Sequence, residues 1–409
     1  MDTEGQSSAD APTRVVRRLA VVLFVVILLA FAIQSQLTQY VQTTLGYRQP
    51  FFLFYAVHSS LLVMLPLHLL YLVLVTKRSP RYFLAMIRRT LIRQLRAPIS
   101  EAHASPFPTQ RLVHLILLFT AGISTPALLW YIAVSLSSIS DVTALWNTNA
   151  FFAYVFAVKI FHLSWQPTKL IAVTAATVGA AAVVYGGSSS VPDTPEPAPE
   201  GSARTAALIR PTAPLLGDLL TLVASITYGL YQVLYKKYIA LPTDPEFDPA
   251  EDYDRLPASE NEDAVAVEEA LLPSSDHPLS PLPFGLYANF FTSAIGLCTL
   301  ALLWIPIPIL HYLDLEHFKL PGNIFTVGVI ACIAMTGVIF NGGLMILLGI
   351  WGPIITSVGN LMTIVLVFIS DVIWGGAVQT VTIWSAIGAS IIVGAFGVLV
   401  YDMGKAGQE

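Results

Sequence analysis

Charged side chains are scarce in this sequence: Asp, Glu, Lys and Arg make up 11% of its 409 residues, against about 25% in an ordinary soluble domain. With 55% apolar residues and a mean hydropathy of +0.69, too little polar surface remains to coat a globule of this size. A soluble enzyme, a secreted domain and a nucleic-acid binder are all excluded on that ground. Cysteine is nearly absent. Cys298 and Cys332 each fall inside an apolar run, so neither a disulfide framework nor a cysteine metal site follows. There is also no N-x-S/T sequon to mark a glycosylated face.

What the chain has instead is long apolar runs, such as Leu19–Ile33, Leu61–Val75 and Ile324–Val338. A membrane span needs roughly 20 mostly apolar residues. Ten candidate helices are read near 15–37, 51–76, 112–135, 142–161, 168–187, 215–235, 284–310, 322–349, 353–374 and 380–401. Helices satisfy their own backbone in lipid, and no alternating barrel pattern occurs. The expected fold class is therefore an all-α polytopic membrane protein with ten transmembrane helices. With the N-terminus placed in the cytosol, 17 of the 21 basic residues lie on the cytosolic side. Only Arg48, Arg204, Arg210 and Lys319 fall on the far side, so both termini are expected in the cytosol.

Three connections exceed simple turns. Residues 77–110 carry seven basic residues before the first acid, Glu101. Arg81, Arg88, Arg89, Arg93 and Arg96 share one arc of a helical wheel, and Phe83, Leu84, Ile87, Leu91 and Leu95 the opposite one. The spacing predicts an amphipathic helix at about 81–96, lying in the cytosolic headgroup layer against anionic lipid. Residues 188–214, rich in Ser, Pro and Ala, read as a far-side linker. Residues 241–281 hold 12 of the 26 acids against one Arg and read as a disordered cytosolic loop. The organisation is then a tail at 1–14, a first five-helix repeat at 15–187, the linker, a second repeat at 215–401, and a tail at 402–409.

The two halves are related. Thr143, Asn147 and Gln166 fall on Thr356, Asn360 and Gln379, each offset by 213 residues. An odd number of spans per half inverts the second half in the membrane. Two inverted five-helix repeats are an architecture of secondary transporters, with substrate bound between the halves. Polar stripes on three helices mark where that would be. Thr221, Ser225, Tyr228, Gln232 and Tyr235 share a face of the sixth span, Thr143, Asn147 and Tyr154 one of the fourth, and Thr356, Asn360 and Thr363 one of the ninth. Asn289 on the seventh adds to them. The substrate-binding candidates are Thr143, Asn147, Tyr154, Tyr228, Gln232, Asn289, Thr356, Asn360 and Thr363; the alternative is that they only pack helix on helix. His58 has no buried acid to pair with, and His311, Asp314, Glu316 and His317 lack ligand spacing. No metal, cofactor or catalytic residue is expected.

Gly217-Asp218-Leu219-Leu220 through Tyr228-Gly229 to Lys236-Lys237 opens the second half. Trp351-Gly352-Pro353 through Asp371 and a last helix with Gly388, Gly394 and Gly397 close it. In these stretches the chain resembles the drug/metabolite transporter superfamily in its EamA-type form. Within it, the chain is most similar to solute carrier family 35 subfamily F and its fungal relatives, over nearly all of residues 110–402. The resemblance implies a carrier of a small polar metabolite working by alternating access on an internal membrane of vacuolar or Golgi/ER type. It departs from pattern where many members place a Glu late in the fourth and ninth helices: here stand Lys159 and Asp371. The basic residues of nucleotide-sugar carriers are missing between Pro353 and Tyr401. A thiamine-like or other organic cation is thus favoured over a nucleotide sugar, the alternative within the superfamily. A membrane-embedded enzyme or a non-transporting receptor is the alternative of another class. The expected partners are a small-molecule substrate and the bilayer, not nucleic acid, and a homodimer is compatible with the sequence.

If the inverted repeat places Asn147 and Asn360 about one substrate, Asn147→Ala and Asn360→Ala should each weaken apparent affinity roughly tenfold, non-additively, with normal protein abundance. Reduced abundance with unchanged affinity would show them to be packing groups.

Overall fold

The computed structural model describes residues 4–95, 107–137, 139–188, 213–241, 282–366 and 383–406, and among these every regular element is a helix. α1 spans Glu4–Thr43. α2 (Pro50–Ser60) runs through a 3-10 turn, Leu61–Val63, into α3 (Met64–Thr76). α4 (Pro80–Leu95), α5 (Thr109–Leu136), α6 (Ile139–Asn147), α7 (Asn149–Ile160) and α8 (Pro167–Ser188) follow. After them come α9 (Pro214–Tyr238), α10 (Leu286–Leu302), α11 (Pro306–Tyr312), α12 (Ile324–Asn360) and α13 (Ile383–Ala406). Four stretches are long and apolar enough to cross a membrane: Arg18–Gln42, Pro50–Thr76, Thr109–Leu136 and Ile324–Asn360. α10 and α11, bent by 40° at their junction, make a fifth. Gln379, Asp371, Arg96, most of the linker and nearly all of the acidic loop lie outside the described residues.

The helices fall where the apolar runs lie, and their breaks have local causes. α1 starts at Glu4, well before the apolar run, so part of the expected tail is helical. Hydropathy marks only the apolar part of a helix. The first of the two helices at the α10–α11 bend ends at Leu302, and the second starts at Pro306, where the missing N–H costs nothing. α12 joins two of the expected spans across Gly352, whose φ of 75° and ψ of 173° suit glycine, and Pro353 follows.

Packing pairs elements distant in sequence. α1 lies along α12, α5 along α9, α2 and α3 against α10, and α8 along α13, while α7 packs on both α9 and α12. Small residues permit the closest crossings. A Cβ on Gly388 would stand 2.5 Å from the Gly179 carbonyl oxygen, and one on Gly296 would strike the backbone of Leu61 and Leu62. Gly394, by contrast, faces open space.

Each end of the bundle carries a clasp. At one end lies α4. Its Phe83, Ile87, Leu91 and Leu95 are buried in the main apolar core, so protein covers this face rather than lipid. Leu84 of the expected apolar arc is 45% exposed, one step off the i, i+4 row. Arg81, Arg88, Arg89 and Arg93 are exposed, as their arc requires. Gln94 Nε2 donates to the carbonyls of Ile239 (3.1 Å) and Ala240 (3.2 Å) just past α9, and its Oε1 accepts from the Tyr287 hydroxyl on α10. At the other end the segment after α11 holds the first turn of α2. The Glu316 carboxylate accepts from the N–H groups of Phe51 (2.9 Å) and Phe52 (3.1 Å). Tyr47 Oη and Gln49 Nε2 both donate to the Lys319 carbonyl at 2.9 Å. Burial, helped by the Glu316 charge, pushes the Tyr47 phenol up to about 12.

Glu316→Ala strips two helix N–H groups of their acceptor and should cost about 1–3 kcal/mol, read as a lower Tm. Burial pushes the Glu316 carboxyl above its ordinary value, against the two backbone hydrogen bonds. The folded chain therefore binds this proton more readily than the unfolded one. Its contribution to stability rises as pH falls from the raised value toward 4.5. Relative to Glu316→Gln, the native chain should thus gain Tm across that interval; a relative loss would contradict the assignment.

Candidate functional site

Between the paired helices lies a cavity of about 60 Å³, walled by residues of α1, α2, α5, α6, α9 and α12. Phe31, Trp130, Tyr131, Trp146, Tyr228 and Phe340 give it an aromatic lining. Gln34, Ser35, His58 and Asn341 supply the polar groups, and none of the described residues lining it is Asp, Glu, Lys or Arg. A larger groove, about 330 Å³, runs between α5 and α10. It is bordered by exposed Leu117, Ala121 and Leu302, and so belongs to the outer surface.

α9 supplies an aromatic column because Tyr228, Tyr231 and Tyr235 recur at i, i+3 and i+7. Trp146 stacks on Tyr228 with centroids 4.8 Å apart and planes 28° off parallel, and Tyr228 in turn stacks on Tyr231 at 6.2 Å. The Tyr231 hydroxyl donates to the Met345 sulfur at 3.4 Å. His58 sits 3.1 Å from the Phe54 carbonyl through Nδ1. A carbonyl only accepts, so Nδ1 carries the proton and Nε2 is left as an acceptor. Asn341 Nδ2 donates to the Gly337 carbonyl at 2.8 Å.

The residues singled out in the sequence fall into three groups. Tyr228 lines the cavity. Gln232 is the centre of a buried bridge: its Oε1 accepts from the Ser357 hydroxyl at 2.5 Å, and its Nε2 donates to Asn149 Oδ1 at 3.3 Å. That bridge ties α9 to α7 and α12, and Asn149 donates onward to the Trp146 carbonyl at 2.7 Å. Asn147, Thr356, Asn360 and Thr363 are all buried and do not line the cavity. Thr363 donates to the Asn360 carbonyl at 2.7 Å, while Thr356 Oγ1 and Asn360 Oδ1 have no hydrogen-bond partner. Tyr154 and Asn289 lie apart. The Tyr154 hydroxyl donates to the carbonyl of Gln166 and accepts from its N–H, each at 3.2 Å, and so closes the turn into α8. Asn289 pairs with His68 at 2.7 Å. Thr143 belongs to α6, and its side chain lies outside the described residues.

Sequence reasoning missed Phe31, Gln34, Trp130, Tyr131, Trp146 and Asn341. One signal was available: Gln34, Thr38 and Gln42 repeat at i, i+4 and i+8 along α1. All three are buried, and among the described residues both polar atoms of Gln42 have no hydrogen-bond partner while Gln34 Oε1 and Thr38 Oγ1 have none beyond Tyr131.

No family model matches the chain, and no curated protein does. Fifteen solved chains match it in structure. One of them, described only as the crystal structure of a protein, superposes with a TM-score of 0.52 at 14% identity, over 92% of this chain and 98% of that one. A likeness at that identity concerns the fold alone.

Gln232→Leu removes the bridge and leaves Asn149 Oδ1 without its donor, while the Ser357 hydroxyl keeps the Pro353 carbonyl four residues back. It should lower stability by about 1–3 kcal/mol, the desolvation cost of a buried group. Gln232→Glu, which keeps an acceptor for Ser357, should recover part of the loss in Tm; equal losses for both variants would show that the bridge contributes nothing.

Proposed function

We propose that the chain is a ten-span secondary carrier of the drug/metabolite transporter type, built from two inverted five-helix halves and moving a small polar solute by alternating access. The observation that carries this reading is the exchange symmetry of the packing. Take α1, α2–α3, α5, α6–α7 and α8 as one half. The other is α9, α10–α11, α12 to Trp351, the stretch from Pro353, and α13. The first span of each half then packs on the third of the other: α1 on α12, with Gly337 beside Gln34 and Gly343 beside Ile27, and α9 on α5. The second spans pack on each other, and so do the fifth. Swapping the halves leaves the pattern unchanged, as a pseudo-twofold axis between inverted repeats demands. The clasps obey the same exchange: the segment after the second span holds the start of the seventh through Gln94, and the segment after the seventh holds the start of the second through Glu316.

The cavity between the halves supports a solute class. An uncharged aromatic lining offers π-faces to a cation and no charged partner to a phosphate. An organic cation, thiamine-like in its chemistry, is therefore favoured over a nucleotide sugar. The basic bias of the connections favours cytosolic termini, and the family resemblance favours an internal membrane. Exposed Arg81, Arg88, Arg89 and Arg93 on α4 would then face the anionic headgroups of the cytosolic leaflet.

Uptake by proteoliposomes tests the reading with a panel of organic cations and neutral polar metabolites. At least one organic cation should show saturable flux, and none from the whole panel would overturn the carrier. For that solute Trp146→Ala should raise the half-saturation concentration roughly tenfold, the loss of a cation–π contact of roughly 1–2 kcal/mol, with Trp146→Phe in between.

A further inference from the structure

Two helices, α9 and α1, each carry a buried polar stripe, and the two stripes are treated differently. On α9, Thr221 donates to the Gly217 carbonyl at 2.8 Å, Ser225 pairs with Thr148 at 2.7 Å, and Gln232 joins Ser357 and Asn149. Its polar groups are absorbed by helix packing. On α1, Gln34, Thr38 and Gln42 recur at i, i+4 and i+8 with 8%, 0% and 3% exposure, yet among the described residues Gln34 Oε1 and Thr38 Oγ1 have no partner beyond Tyr131, and Gln42 Oε1 and Nε2 have none. The Tyr131 hydroxyl interacts with Gln34 and Thr38, and Trp146 Nε1 has no hydrogen-bond partner among the described residues. Gln34, Tyr131 and Trp146 all line the cavity. From Gln34 the stripe runs on through Thr38 and Gln42 to the last turn of α1, at the end of the bundle where Glu316 clasps α2.

Both polar atoms of Gln42 and Trp146 Nε1 have no partner among the described residues, and Gln34, Thr38 and Tyr131 have only one another; such a cluster is costly in a dry interface. In a wetted one it is not. All are neutral donors or acceptors, and the wall they share with the cavity is aromatic. We infer that Gln34, Thr38 and Gln42, with Tyr131 and Trp146, form the wall of an aqueous passage from the cavity to the α1–α2 end of the bundle, for a neutral or cationic solute that exchanges hydrogen bonds with its wall. The choice of solute rests on the carrier reading; access of water does not.

Cysteine labelling tests the passage on the full chain in nanodiscs, after Cys298→Ala and Cys332→Ala. Gln34→Cys, Thr38→Cys and Gln42→Cys are compared with Val41→Cys, a buried apolar site on the same helix, and Ser225→Cys on the paired stripe. The probes are two water-soluble methanethiosulfonates, one bearing trimethylammonium and one bearing sulfonate, each rate normalised to free cysteine. The three stripe positions should react at least ten times faster than both controls, and faster with the cationic reagent. Stripe rates equal to the controls would overturn the passage, and faster reaction with the sulfonate would overturn its solute class.

Thr38→Val gives a near-isosteric second measurement. In a dry interface it removes a hydroxyl with no partner beyond Tyr131, which keeps Gln34, and should raise Tm by several degrees. In a wetted passage Tm should stay level or fall, so a rise also overturns the proposal. Labelling of the stripe without saturable flux in proteoliposomes would retire the carrier and leave the passage; flux with an unlabelled stripe would retire the passage alone.

Discussion

Inside a bundle this apolar, every polar group away from its own backbone ladder must find a partner or remain in contact with water, and that constraint orders the molecule. Burial of an unpaired amide or hydroxyl costs about 1–3 kcal/mol, as much as a sizeable core substitution. Many buried polar groups escape it by returning to a carbonyl of their own helix. Thr120, Thr221 and Asn341 each donate to the carbonyl four residues back. Others escape it between helices, as Gln232 does with Ser357 and Asn149. Between-helix bonds are also what fixes register, because apolar side chains tolerate small slips and a hydrogen bond does not.

The same constraint explains why the clasps lie at the ends. Helix termini leave N–H and C=O groups unsatisfied. Glu316 takes up two N–H groups at the start of α2, and Gln94 takes up two carbonyls just beyond α9. Each clasp thereby joins elements far apart in sequence while meeting a need that a lone helix cannot meet. Lys236 does likewise, donating to the Gly349 carbonyl at 2.8 Å just before the break at Gly352.

Periodicity and hydropathy made the helices legible, because each needs only its own residues to declare itself. The apolar runs at Leu61–Val75 and Ile324–Val338 lie within helical stretches, and the arginine arc of α4 is exposed as its spacing required. What covers the apolar arc was not legible: the spacing reads equally well for lipid and for the core that buries Phe83 and Ile87. The candidate site was harder for the same reason. Three polar stripes were singled out, and the one on α9 is largely consumed by partners on α6, α7 and α12, whose register no single-helix pattern contains. The stripe on α1 was passed over because Gln34 and Thr38 fall at the end of an apolar run, where polar residues ordinarily mean an emerging helix. Trp146 was hidden beside Asn147, since an aromatic in an apolar run carries no sign of the cavity it faces.

The size of the cavity constrains how any carrier of this form would work. Pockets that enclose a small organic ligand measure roughly 300–1,000 Å³, and the space between these halves is about 60 Å³, room for a few waters. Both clasps are engaged. In a carrier of that form a solute of such size would enter by parting the two sets of helices, which requires one clasp to open. Opening both would leave a continuous channel through the bundle. The central bridge from Gln232 to Ser357 and Asn149 ties α9 to α12 and α7. Rocking that opens one end about such a bridge compresses the other, so the two clasps would compete rather than act independently. If the Gln34–Gln42 stripe is wetted, water already reaches toward the end of the bundle where Glu316 clasps α2, and in such a carrier that clasp would be the easier of the two to part.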